Sequence, residues 1–412
     1  MSEKVCVIIG ASHAGVSLAL QLRKEGWEGL IELIGEEKEL PYHRPPLSKE
    51  HLSGDKGLDA MRLRPEKIYQ DNSINLRTGR SVESIDRDGK KVTMDNGESL
   101  AYDKLALCTG AQVRKLSIGG QQDLIFYIRT ANDVANLMKQ LEAGKKVVVI
   151  GGGYIGLEAA AVLSKNKLDV TVLEMADRVL QRVTSSAMSD FITELHNRHG
   201  VKIKTACRVS EISELNSGAK VVCEDGSEYE ADFIIAGIGV FPRTELAEKA
   251  GLDCDEGIRV DEYTQTKDKD IFAAGDCTSH PSFIYDRHLR LESVQNANDQ
   301  ARVTAANICG KKTSYDAVPW FWSDQFHIKL QMTGLSAGYD ELVHRGSDDF
   351  DQQLESGFAL FYFREGKMIA ADCIARPKEF MVSKNLIKNA VTVDPAVLKD
   401  ESVEPINFQS PI

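Results

Sequence analysis

The chain has 412 residues, 50 of them basic and 62 acidic, for a formal net charge of −12. That balance argues against bulk binding to nucleic acid or anionic membranes. No apolar run reaches the length of a membrane-spanning helix, and the length allows two or three domains.

The N-terminus opens directly on a strand pattern, which predicts no signal peptide and a cytoplasmic protein. Residues 5–9, VCVII, form a short β-branched run suited to a buried parallel strand. GASHAG follows, with Gly10, Ser12, His13, Ala14 and Gly15, and then a helical pattern through Arg23. A second strand run, residues 30–34, leads to the acids Glu36 and Glu37. This is a dinucleotide-binding βαβ pattern in which Ser12 stands where a second glycine is expected. His13 either lies near a cofactor or fills the first helical turn, and the second role is favoured.

Residues 40–49, LPYHRPPLSK, read as a stiff loop, neither helix nor strand interior, because of the prolines. A rigid loop ending in the cation Lys49 suits a flavin pocket. Residues 76–101 read as short strands, with Asp88-Gly89 and Asn96-Gly97 as hairpin signals. Residues 105–110, LALCTG, form a strand ending in a turn at Thr109 and Gly110.

The most complete pattern is KVVVIGGGYIGLEAAAVLSKNKLDVTVLEMA, residues 146–176. A strand, G-x-G-x-x-G over Gly151 to Gly156, an Ala/Leu-rich helix, a second strand and a terminal acid occur in one stretch. Gly151 permits the tight turn, Gly153 lets a pyrophosphate approach the backbone, and Gly156 lets the helix pack on the strand. The helix N-terminus offers free N–H groups to the phosphates. Glu174 is placed to accept hydrogen bonds from ribose hydroxyls and to repel a 2′-phosphate, which predicts NADH over NADPH.

Beyond it, a helix is expected over about 185–199, with strands near 201–205, 209–215, 220–223 and 233–236. Residues 237–244, GIGVFPRT, suggest the chain crossing back to the first domain. Residues 271–276, IFAAGD, are a buried strand ending at Gly275 and Asp276, where Asp276 can hold a ribityl hydroxyl or cap a helix. Residues 290–309 read as an entry turn and a helix whose N-terminus suits negative charge. From Trp320 onward an α+β domain is expected, its aromatic cluster most simply its core, with strands at 328–332 and 358–363 and a helix at 384–390.

Eight cysteines are scattered with no C-x-x-C spacing, so buried reduced thiols are expected and no metal site.

With these residues assembled, the chain resembles the NADH-dependent ferredoxin reductases of oxygenase systems, of the putidaredoxin and rubredoxin reductase types. The resemblance rests on GASHAG, PYHRPPLSK, CTGA, VVVIGGGYIGLE, VTVLE, IIAGIG, AAGDC, RLESVQNA and PWFWSDQ. It implies a glutathione-reductase-like α/β fold: two Rossmann-like dinucleotide-binding domains and a C-terminal α+β interface domain. The corresponding boundaries are 1–110 and 241–319 for the FAD domain, 111–240 for the NAD domain and 320–412 for the last.

The resemblance places non-covalent FAD on the first unit and NADH on the second. It carries FAD contacts onto Ala14, Glu36, Lys49, Val82, Arg129, Asp276 and Val294. Gly10, Ser12, His13, Gly15, Arg44, Thr109, Gly110, Gly275 and Trp322 join them from the motifs. Gly151, Gly153, Tyr154, Ile155, Gly156, Glu174 and Gly239 form the NADH set. Lys49 and Glu158 resemble the family's ion pair near flavin and nicotinamide. Arg243 departs from a related motif that often has Asn.

The implied activity is hydride transfer from NADH to FAD, then single electrons to a [2Fe–2S] ferredoxin or rubredoxin serving a terminal oxygenase. Alternatives are an NADH-sensing flavoprotein that signals through a protein partner, and a relative of NADH oxidases and disulfide reductases. The latter needs a redox cysteine after the first unit, and none is there. Acidic ferredoxins would favour a basic patch, for which Arg287, Arg290, Arg302, Lys311 and Lys312 are candidates.

Overall fold

The computed structural model describes residues 4–118 and 122–408. They form two compact units, each assembled from three stretches of chain.

The first unit comprises residues 4–43, 58–112 and 240–319. Its centre is a five-stranded parallel sheet in the order Ile271–Ala273, Lys104–Leu107, Val5–Ile9, Leu30–Gly35, Ile74–Thr78. Alternate residues of one strand face opposite sides of a sheet. Cys6 and Ile8 accordingly enter one apolar cluster, while Val7 and Ile9 enter another on the opposite face. The strand Val5–Ile9 is buried on both faces, which is why it shows no alternation in sequence. On the first face, the helix His13–Glu25 packs against the helix Val294–Ile308. Ala297, Ala301 and Ala305 repeat every fourth residue within that core and allow close approach. The strands Val82–Asp86, Lys91–Met94 and Ser99–Ala101 form a separate antiparallel sheet. Its turns are the expected ones: Gly89 N–H donates to Asp86 Oδ1, and Gly97 is left-handed.

The second unit comprises residues 44–57, 113–239 and 320–408 within the described range. Its parallel sheet runs Lys202–Lys204, Asp169–Leu173, Lys146–Ile150, Phe233–Ala236, Ile125–Phe126. A three-stranded antiparallel sheet, Val209–Glu214, Ala219–Cys223 and Glu228–Ala231, adjoins it in sequence. The C-terminal stretch forms a five-stranded antiparallel sheet in the order Trp320–Gln325, Ile328–Gly334, Lys367–Ile374, Phe358–Arg364, Glu341–Arg345. The helix Pro377–Lys388 lies against it. Among the described residues no helix is long and apolar enough to cross a membrane.

Five expectations need correction. Residues 45–48 are not irregular: Pro45–Ser48 is a 3-10 turn, and prolines suit its first two positions because those N–H groups have no intrahelical partner. The last long helix begins at Pro377 rather than Lys384, again with proline at its first position. The aromatic run Trp320-Phe321-Trp322 is only half-buried, and the core of this sheet is Phe358 to Phe363 instead. Asp276 caps no helix; it sits in the turn before the strand Thr278–Ser282. Finally, Cys207 and Cys223 form a disulfide with Cα atoms 6.0 Å apart. The hairpin pairs Val209 with Cys223, which brings Cys207, two residues ahead of that strand and 16 residues from Cys223, within reach.

Two charges are buried in the C-terminal sheet. Arg345, 3% exposed, donates to Glu379 and to the carbonyls of Leu398, Asp400 and Val403. Asp372, also 3% exposed, accepts hydrogen bonds from Thr184 and Tyr362. Burial raises the Asp372 carboxyl from 3.8 to about 6, against the opposing pull of those two hydroxyls. The folded state therefore holds this proton more tightly than the unfolded chain. Its contribution to stability is full below about pH 4 and is lost as pH rises to about 6, a change on the order of 3 kcal/mol. Asp372→Asn should remove this pH dependence, so that thermal unfolding of variant and parent diverges between pH 4 and 7. Parallel Tm–pH curves would contradict the assignment.

Candidate functional site

Each parallel sheet carries one glycine cradle at the end of its central strand. In the first unit, Gly10 N–H donates to Ile34 O at 2.8 Å and starts the turn into the helix. A Cβ on Gly10 would meet Cys108 O at 2.1 Å, and one on Gly15 would meet Gly10 O at 1.9 Å. In the second unit the same two approaches recur. A Cβ on Gly151 would lie 2.5 Å from Gly237 O, and one on Gly156 would lie 2.1 Å from Gly151 O. These four glycines are required by the fold itself.

The middle glycine is different. Gly153 is the helix N-cap, in extended backbone, and a Cβ there would meet nothing within 4 Å. Nothing in the protein excludes a side chain at this position, so its absence suits a ligand brought against the helix N-terminus. Ser12 holds the equivalent N-cap place in the first unit, also in extended backbone that any residue adopts. The missing glycine therefore costs the turn nothing.

Around the first cradle, His13 and Ala14 are buried, and the His13 ring meets His43 edge-on at 5.5 Å. Glu36 is exposed and pairs with Arg243. Arg243 N–H also donates to Gly110 O, and Thr109 Oγ1 donates to Arg243 O at 2.7 Å. Arg243, a departure in the motif, thus ties the acid to the Thr109-Gly110 turn. Gly275 packs against Ala14, with 3.1 Å left for a Cβ. The buried Gln300 accepts from Gly275 N–H at 2.7 Å and from Thr278 Oγ1 at 2.9 Å. This brace for the Gly275-Asp276 turn escaped sequence reasoning, because a glutamine in a helix carries no motif signal. Val294 opens the helix behind the N-cap Ser293, and Val82 opens its own strand.

In the second unit, Glu174 follows its strand as expected. Its Oε2 accepts from Gly152 N–H at 2.6 Å and its Oε1 from Ala176 N–H at 2.8 Å. The carboxylate is held beside the glycine loop, where its remaining lone pairs suit ribose hydroxyls. Gly239, left-handed, accepts from Arg114 N–H at 2.9 Å. Ile155 is 43% exposed beside the helix N-terminus, and Tyr154 donates to Met332 Sδ at 2.7 Å.

The same helix buries Glu158, 2% exposed. A buried carboxylate is costly unless paired and fully hydrogen-bonded, and here three donors converge. Lys49 Nζ lies 2.8 Å from Oε2, Ser48 Oγ donates to Oε2 at 2.6 Å, and Ser323 Oγ donates to Oε1 at 2.7 Å. The Pro45–Ser48 turn aims both Ser48 and Lys49 inward, and Lys49 N–H closes it onto Pro46 O. Arg44, just before this turn, donates to Arg129 O at 2.6 Å. Trp322 is half-buried on the strand that carries Ser323, its indole N–H bound to Asp324. Ser48 and Ser323 both lie inside quoted motifs, yet spacing alone gives neither a role.

The members of the expected basic patch lie before, along and after the helix Val294–Ile308. Arg290, Arg302 and Lys311 are moreover paired with Glu292, Asp299 and Glu25.

Two glycine cradles, one with a buried lysine–glutamate pair on its helix, define a dinucleotide-dependent oxidoreductase. Comparison with known proteins narrows this. The pattern of the pyridine nucleotide-disulphide oxidoreductases matches residues 4–301, and that of the reductase C-terminal domain matches residues 320–405. The chain is 44% identical to putidaredoxin reductase CamA of Pseudomonas putida, over 96% of this chain and 94% of that protein. It is 41% identical to the 5,5'-dehydrodivanillate O-demethylase ferredoxin reductase subunit of Sphingobium sp. (strain NBRC 103272 / SYK-6), over 96% of each. Its fold matches a chain of the crystal structure of the covalent putidaredoxin reductase–putidaredoxin complex with a TM-score of 0.93, at 42% identity and 98% coverage of both. The chain belongs to the pyridine nucleotide-disulphide oxidoreductase family, with two dinucleotide-binding folds and a C-terminal α+β part.

The contrast between Gly153 and Gly156 is testable. Gly153→Ala should fold with little change in Tm and raise the KM for NADH about tenfold or more, by crowding the pyrophosphate. Gly156→Ala should instead lower Tm, because its Cβ meets backbone at 2.1 Å. Equal NADH affinity in Gly153→Ala and parent would remove the cradle's assigned role.

Proposed function

We propose that this protein is an NADH-dependent, FAD-containing reductase that delivers electrons one at a time to a [2Fe–2S] ferredoxin or rubredoxin supplying a monooxygenase or dioxygenase. The observation that carries this reading is its likeness to ferredoxin reductases along 96% of the chain, with the Lys49–Glu158 pair intact. A disulfide reductase of this fold needs a redox cysteine after the first cradle, and residues 26–57 contain no cysteine. We place the protein in the cytoplasm.

FAD, when bound, supplies both halves of the chemistry: it accepts a hydride from NADH and releases electrons singly to the iron–sulfur protein. The chain's own residues bind, orient and tune. The Gly10–Gly15 cradle would hold the FAD pyrophosphate, with Glu36, Val82, Thr109, Gly110, Asp276 and Val294 as further contacts from the same unit. The Gly151–Gly156 cradle would hold that of NADH, with Tyr154, Ile155 and Gly239 beside it. Glu174 would accept from the adenosine ribose and repel a 2′-phosphate. Arg44, Arg129 and Trp322 complete the candidate set in the second unit. Lys49 supplies a fixed positive charge that favours the anionic reduced cofactor. Glu158 holds that ammonium in place while neutralising the cost of its burial.

The first test is to mix the FAD-loaded protein with NADH anaerobically, add candidate [2Fe–2S] ferredoxins and a rubredoxin, and follow acceptor reduction. Rapid reduction of one acceptor is expected. Flavin reduction without transfer to any of them would favour an NADH-sensing role instead. Lys49→Ala should slow flavin reduction about tenfold and weaken the charge-transfer absorbance with NADH. Unchanged stopped-flow traces would remove Lys49 from the mechanism.

A further inference from the structure

The donors on Glu158 do not end at Ser323. Ser323 Oγ accepts from Gln325 Nε2 at 3.2 Å, and Gln325 Oε1 lies 2.8 Å from His196 Nε2. Ser323, Gln325 and His196 are each no more than 1% exposed. Ser323 and Gln325 are two apart on the strand Trp320–Gln325, so both side chains point to one face. His196 comes from the helix Ser186–Arg198.

Hydrogen-bond chemistry gives this chain a direction. The ionised Glu158 carboxylate can only accept, so the Ser323 hydroxyl donates its one proton to it. The free lone pair of that hydroxyl then takes the Gln325 amide, which turns Gln325 Oε1 toward His196. A carbonyl oxygen cannot donate, so the proton must sit on His196 Nε2. The other ring nitrogen, Nδ1, is buried without a hydrogen-bond partner, consistent with a neutral ring. Burial lowers His196 to about 4, which keeps it neutral at physiological pH. Every proton in the chain therefore points toward Glu158.

We propose that His196, Gln325 and Ser323 are positioning residues that lock the Glu158 carboxylate and, through it, the Lys49 ammonium. This rests on the role assigned above to Lys49 and Glu158. Ser48 anchors one carboxylate oxygen from the Lys49 side, and the chain anchors the other. With both oxygens fixed, the carboxylate cannot rotate, and the charge it holds stays at one position during each turnover. A rotated Glu158 would leave Lys49 the freedom of a long flexible side chain.

The test combines a resonance measurement with a double-mutant cycle. Histidine-selective ¹⁵N NMR of the FAD-loaded protein should show neutral Nε2–H imidazoles that do not titrate between pH 5.5 and 8 from both His196 and His280, whose Nδ1 accepts from the Gln300 amide, and the His196 signal should vanish in His196→Gln. A Nδ1–H tautomer, or a titrating ring, would overturn the chain's direction and with it the proposal. In stopped flow, Ser323→Ala should slow flavin reduction by NADH about tenfold and weaken the charge-transfer band. In a Lys49→Ala background the same substitution should have almost no effect, because the positioned group is gone. Gln325→Leu, close in volume, breaks the chain one link further out and should slow reduction about threefold if Ser323→Ala does not fold. A slow Lys49→Ala with parent-like Ser323→Ala and Gln325→Leu rejects the positioning chain and keeps the role of Lys49. Additive effects in the cycle also reject it. Parent-like rates in all variants reject both.

Discussion

A carboxylate taken out of water on the helix behind the second glycine cradle sets the terms for its whole unit. Glu158 is tolerable there only because Lys49, Ser48 and Ser323 each reach it, and removing any one leaves a charged oxygen under-satisfied. Those donors lie 110 and 165 residues away in sequence. The 3-10 turn, the cradle helix and the first strand of the C-terminal sheet are thus held in register by one polar contact. Apolar packing alone tolerates sliding; a three-donor carboxylate does not, because hydrogen bonds weaken steeply away from their preferred geometry.

The two cradles show which parts of a nucleotide motif belong to the protein and which to its ligand. The outer glycines are fixed by backbone oxygens that leave no space for a Cβ. The middle position is free of such pressure, and the chain carries Gly153 in one cradle and Ser12 in the other. Both adopt extended N-cap backbone. Ser12 makes no side-chain cap to this helix, so the substitution at this position is locally neutral.

Much of the scaffold was readable from the chain. Buried parallel strands such as Val5–Ile9 and Phe233–Ala236 are continuous apolar runs bounded by turns, and no other element fits them. The glycine cradles were equally plain. What escaped were features that exist only after distant segments meet. Ser323 reads as an ordinary strand serine until Glu158 is opposite, and Gln300 reads as a helix surface residue until Gly275 is beside it. The Cys207–Cys223 bond depends on hairpin register, which cysteine spacing does not report. The aromatic run at 320–322 reads as core because its residues are hydrophobic, whereas its strand leaves those rings half-covered. The helix start lies at Pro377, ahead of the more strongly helical residues that follow it.

The C-terminal sheet holds two buried ions of opposite character. The bonds from Arg345 to Leu398, Asp400 and Val403 form a latch that ends on backbone carbonyls, which take up no proton across the range of pH a cell can reach. Asp372, with its carboxyl raised to about 6, changes state within that range. It does so between Thr184, in the cradle-bearing stretch, and Tyr362, in the sheet. The end of the chain is therefore fastened in a way that ignores the medium, while the seam between the sheet and the nucleotide-binding stretch registers it.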